Sequence, residues 1–150
     1  MVQQMLNLLG DDSLIGYLAQ TARKLNIAFD VVDGGKGREY IDSLHHIYEF
    51  GAGLRPEAGF SFRSGREAQV ETFDNALKLN ALLKQLARNP DPLCVFNHLG
   101  EHPWTYVFVL PDPQDLPELF RVAQPADYFV SDTQGSFLLA ANWHDFSYAV

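Results

Sequence analysis

Two pairs of apolar runs constrain the fold of this chain most. "PLCVFNHL" and "WTYVFVL" form the first pair, "DYFVS" and "SFLLAANW" the second. All four are rich in the aromatic and β-branched residues that suit a pleated, half-buried surface. Each pair has only a short connection, so each is predicted to be an antiparallel hairpin. In the second pair, "DTQG" supplies the turn, and Gly135 there is free to take a positive φ. The closing "HDFSYAV" is predicted as an edge strand.

Helical periodicity marks two other segments. "DDSLIGYLAQTARKLNI" places Leu14, Leu18, Ala22 and Leu25 on one face, with Asp12 or Ser13 as cap. "DNALKLNALLKQLARNPDP" spaces Leu79, Leu82, Leu83 and Leu86 at i, i+3, i+4 and i+7, with Asp74 as the N-cap and Asn89-Pro90 as the stop. This leucine stripe is read as a core face. One or two helical turns are expected after Asp115, with Pro117 in the first turn. "IAFDVVD" is predicted as a short strand and "GGKG" (34–37) as a flexible turn. "EYIDSLHHIYEFGAGLRPEAGFSFRSGREAQVETF" is predicted as a β-meander punctuated by glycines. A chain of 150 residues with 47% apolar and 13% aromatic content can bury a sizeable core. The expected architecture is α+β: one domain over residues 1–150, mainly an antiparallel sheet, with two or three helices packed on one side.

Charge is unevenly distributed. The net charge is −8, yet residues 1–88 carry ten bases against eleven acids. Residues 89–150 carry one base, Arg121, against eight acids. Such a region repels phosphate backbones, so direct nucleic-acid binding is not expected. It attracts a cation or a basic protein. No window approaches the roughly 18 apolar residues of a membrane span. "MVQQMLNLLGDDS" has no basic n-region, so it is not read as a secretory signal. The cytoplasm is the expected compartment. Cys94, the single cysteine, lies in the apolar run "LCVF" and is read as a buried small hydrophobe.

"NHLGEHPW" contains His98, Glu101 and His102 in the order H-x-x-E-H. In zinc proteases that pattern sits on a helix, where i and i+4 share a face. Here Gly100 and Pro103 interrupt the segment, and strand formers flank it, so a hairpin connection is expected instead. A metal site assembled from His45 or His46, His98, His102 and His144 stays open as an alternative. His45-His46 is read within an alternating strand, one imidazole inward and one outward. "GGKG" lacks the hydroxyl residue and the spacing of a phosphate loop, and no G-x-S-x-G elbow or dinucleotide fingerprint occurs. No catalytic residue, metal or cofactor is assigned.

Large aromatics beside acids suit a protein-binding rim. The candidate partner-binding residues are Glu101, Trp104, Asp112, Asp115, Glu118, Asp127, Asp132, Trp143 and Asp145.

Residues 127–145, "DYFVSDTQGSFLLAANWHD", resemble the C-terminal hairpin of small bacterial immunity proteins encoded beside secreted toxins. The likeness lies in a strand ending in Ser and Asp, a turn, an aromatic-led apolar strand, and then Asn, His and Asp. It covers about a fifth of the chain and contains no diagnostic motif. It implies a cytosolic, non-enzymatic protein that binds one cognate toxin, often a cationic nuclease or nucleotide-targeting enzyme, and occludes its site. No functional residue is carried over from it. A small metal-dependent enzyme and a self-associating regulatory module remain the alternatives.

Overall fold

In the computed structural model, which describes residues 14–32, 34–47, 68–72, 76–96, 106–141 and 145–149, the four apolar runs pair as the sequence predicts. The strand Leu93–Phe96 (β3) lies antiparallel to Val107–Leu110 (β4), with Leu93 opposite Leu110 and Val95 opposite Phe108. The strand Tyr128–Asp132 (β5) lies antiparallel to Leu138–Ala141 (β6), with Tyr128 opposite Ala141. Pairing of β3 with β5, Cys94 opposite Ser131, joins the two hairpins. Asp30–Val32 (β1) adds beside β4, Asp145–Ala149 (β7) beside β6, and Ala68–Thr72 (β2) beside β7. The described strands form one seven-stranded sheet, in the order β1-β4-β3-β5-β6-β7-β2, and every pair is antiparallel.

Alternation along the central strands feeds two separate cores. Leu93 and Val95 of β3, Phe108 and Leu110 of β4, and Tyr128 and Val130 of β5 point to one face. They meet the helices Leu14–Lys24 (α1), Ala76–Leu86 (α3) and Leu116–Ala123 (α4) through Leu18, Leu83 and Leu119. Cys94, Phe96, Phe129, Leu138 and Ala140 point to the other face. There they meet Ile41 and Leu44 of the helix Gly34–Ile47 (α2). Both faces of β3, β5 and β6 are therefore covered, and every residue of these strands is buried. Each fully buried Leu or Phe contributes on the order of 2–3 kcal/mol, so this double-sided burial makes the central strands the most strongly held part of the fold. The α+β class and the three helices on one face match expectation. The fourth helix on the opposite face is an addition to it.

That helix is where the sequence reading departs most from the structure. "GGKG" opens α2 instead of forming a flexible turn. His45 and His46 are thus helical neighbours, about 100° apart around the axis, and not the inward–outward pair of a strand. The governing signal is Tyr40, Ile41, Leu44 and Ile47, whose helical spacing all serves one core. Of the predicted meander (39–73), residues 39–47 are helical and belong to α2, residues 68–72 form β2, and 48–67 and 73 lie outside the described residues. The closing strand also differs: β7 is not an edge, because β2 pairs along its other side. Among the described residues the edges are β1 and β2. The expected caps Asp12, Ser13 and Asp74 lie outside the described residues.

Helix ends follow capping chemistry. Asp112 accepts from the backbone N–H of Gln114 at 3.0 Å and starts the 3-10 turn Pro113–Asp115 that leads into α4. Pro117 sits in the first turn of α4, as expected. Gln124, at φ 49°, closes α4 in the left-handed region, its N–H donating to the Phe120 carbonyl at 2.9 Å. No helix among the described residues is long and apolar enough to cross a membrane.

Candidate functional site

Three of the candidate acids come together on a single turn. Asp112 precedes the 3-10 turn, Asp115 ends it, and Glu118 stands in the first turn of α4. Asp112 and Glu118 are exposed and Asp115 is half-buried. Partial burial raises the Asp115 carboxyl above its usual range, and the Asp112 charge raises it further. The Asp115 N–H donates to the Asp112 carbonyl at 3.1 Å, which holds the two residues on one turn.

Glu118 is held differently. Its Oε2 accepts from Nε of Arg121 at 3.0 Å and its Oε1 from Nη2 at 2.6 Å, a bidentate clamp one helical turn apart. The hydrogen bonds, and then the charge, of Arg121 lower the Glu118 carboxyl, and Arg121 is raised in return. Arg121 is the only base after Arg88. Its charge is spent on Glu118, so it does not offset Asp112 and Asp115.

Beside this turn, a groove of about 580 Å³ runs between α3 and α4. Leu79 and Leu83 of α3, Phe120 of α4, and Tyr128 of β5 give it an apolar lining. Phe120 and Tyr128 meet edge to face, with ring centroids 4.9 Å apart. Lys84, Glu118 and Arg121 supply its charged groups. The leucine stripe read as core is indeed core at Leu82, Leu83 and Leu86. Leu79 is only half-buried, and it reaches the groove. The sequence held no signal for the groove as such, because Tyr128 and Phe120 meet Leu79 and Leu83 only through tertiary packing.

The remaining candidates separate. Asp132 has 0% exposure and cannot be offered to a partner, which corrects its assignment to a binding rim. Its Oδ1 accepts from the N–H groups of Gln134 and Ser136 at 3.0 and 2.9 Å, and its Oδ2 from Asn89 at 3.2 Å. The carboxylate organises the β5–β6 turn and ties it to the end of α3. Asp127 is half-buried just ahead of β5. Asp145 is the first residue of β7, in register with Thr72 of β2. Glu101, Trp104 and Trp143, together with His98, His102 and His144, lie outside the described residues. Among the described residues no three His, Cys, Asp or Glu side chains form a group able to hold a metal ion.

A second polar cluster lies under α2. The Tyr40 hydroxyl donates to the Asp132 carbonyl at 2.8 Å. Burial raises the Tyr40 phenol well above its usual range, and the neighbouring Cys94 adds to the rise. Burial pushes the Cys94 thiol up to about 12. Cys94 is 3% exposed, so it is the inert small hydrophobe the sequence suggested and not a nucleophile.

Compared with known protein families, curated proteins and solved structures, the chain finds no match.

Proposed function

We propose that the chain is a cytoplasmic binding protein of the immunity type, which neutralises a cognate basic toxin by covering its active or substrate-binding surface. The observation that carries this reading is the acidic turn. Asp112 and Asp115 stand together at the start of α4, and the one base of the C-terminal region is already clamped by Glu118. Arg121 therefore does not offset the negative field of Asp112 and Asp115. Such a field speeds and orients the approach of a cationic surface. The turn is also held by its own cap, the Asp112 bond to Gln114, so little ordering cost falls on association. Binding of this kind needs no metal and no cofactor.

Co-expression tests the reading. The partner is the product of the gene beside this chain, expected to be a secreted protein with a basic C-terminal domain. Cells producing that domain should grow only when the chain is present, and the two purified proteins should elute together. A neighbouring product that neither harms growth nor binds the chain contradicts the proposal.

A further inference from the structure

The α3–α4 groove is built to hold something smaller than a protein surface. Helix α4 has eight residues, so it is about 12 Å long. Pro117 near its start and Pro125 just past its end both line the groove, which therefore runs about that length. Its volume, about 580 Å³, falls in the range of small-molecule sites. The apolar lining of Leu79, Leu83 and the Phe120–Tyr128 pair suits a ring or a short hydrocarbon chain.

Two polar groups in this apolar setting give the ligand its charge and orientation. Lys84 is exposed and makes no ion pair among the described residues, whereas the charge of Arg121 is taken up by Glu118. One net positive charge is left in the groove. Tyr128 is 2% exposed and lines the groove. Burial alone raises its phenol, so it stays an O–H donor at any physiological pH. An ammonium and a phenolic donor suit an anion with one charge and two acceptor oxygens. A dianionic phosphate would exceed the positive charge on offer.

We propose that the α3–α4 groove binds a small amphipathic carboxylate, its apolar body against Leu79, Leu83, Phe120 and Tyr128 and its charge on Lys84. This site is separate from the docking role of Asp112 and Asp115, and either can fail without the other.

The test titrates phenylbutanoate, and its neutral counterpart phenylbutanol, into the full chain while following backbone amide shifts. Saturable one-to-one shifts centred on Leu79, Leu83, Phe120 and Gln124 are expected with the acid. The alcohol should bind about tenfold more weakly, as should the acid with Lys84→Glu, since each removes one charge-assisted contact. Lys84→Gln keeps the exposed side chain polar and should weaken the acid by a similar factor. Tyr128→Phe should weaken the acid several-fold while leaving the alcohol less affected. Arg88→Glu, outside the groove, should change nothing. Absence of saturable shifts, or equal affinity for acid and alcohol, overturns the proposal. So does a Lys84→Glu chain that folds normally and binds the acid as the parent does.

Discussion

The side-chain amide of Asn89 donates to Oδ2 of Asp132 at 3.2 Å, joining the residues just beyond α3 to the last residue of β5. The same amide donates to the Asp91 carbonyl at 2.8 Å, and the other oxygen of Asp132 gathers two N–H groups of the β5–β6 turn. One buried carboxylate thus holds a helix end, a turn and a strand in register. Asp132→Ala strands these donors, each at a cost of about 1–3 kcal/mol when buried. We expect a loss of about 2–4 kcal/mol, because the donors are only partly buried. Asp132→Asn keeps the Oδ1 acceptor but sets one amide donor against another at Asn89, so it should cost less. Denaturant unfolding measures both; equal stability of Asp132→Ala and the parent would contradict this role.

Gly135 tests the packing of that turn against α2. Its φ is +66°, and a Cβ there would lie 2.7 Å from Cδ1 of Ile47 and 3.2 Å from Cδ2 of Leu44. Gly135→Ala adds left-handed strain of about 1–2 kcal/mol to a contact that only movement of two side-chain ends can relieve. A total of about 1–3 kcal/mol is expected. Gly135→Asn tolerates the backbone better but meets the same neighbours. A thermal melt in which Gly135→Ala matches the parent would show that α2 does not press on this turn.

Alkaline pH should act through the buried cluster under α2. The Cys94 thiol is raised from its ordinary 9.0 to about 12 by burial. Below pH 9 the thiol is protonated in folded and unfolded chains alike, so no stability is lost there. Between about 9 and 12 the unfolded chain releases this proton and the folded chain keeps it, so stability falls as pH rises. The Tyr40 and Tyr128 phenols, also raised, act in the same direction. Cys94→Ala should flatten part of the slope. The thiol should also resist iodoacetamide until the chain unfolds; rapid labelling of the native protein would contradict its burial.

The Glu118–Arg121 clamp is exposed on both sides, and screened surface pairs contribute little. Glu118→Gln should therefore leave the melting temperature close to that of the parent. Its effect should appear in charge instead, since it frees Arg121 to offset Asp112 and Asp115 and should slow association with a basic partner. A large drop in melting temperature would show a structural role that the geometry does not indicate.

The legible parts of the sequence were those where a single period ran without interruption. The strands of both hairpins alternate cleanly between two buried faces, and Leu82, Leu83 and Leu86 recur at helical spacing, so their class and pairing could be read. Helix α2 could not, because Gly34, Gly35 and Gly37 crowd its first turn and mask the Tyr40, Ile41, Leu44 and Ile47 stripe. The position of β7 was hidden for a different reason. A closing strand looks like an edge until a distant segment, here β2, pairs with its free side. At the site, Asp112, Asp115 and Glu118 could be named as acids but not as one surface; the 3-10 turn and the start of α4 bring them together. Asp132 looked the same in composition and proved buried, since only the fold brings Asn89 and the N–H groups of Gln134 and Ser136 to its oxygens. Lys84 and Tyr128 are 44 positions apart in the chain, and no local pattern links them.

The association rate with the proposed basic partner, measured against salt, tests the central claim most directly. For the parent chain the rate should fall about tenfold or more between roughly 50 and 500 mM salt, as steering between opposite charges is screened. The paired reversal Asp112→Lys with Asp115→Lys should remove most of that dependence and slow association at low salt. If the reversed chain binds as fast as the parent, with the same salt dependence, the acidic turn is not the docking surface.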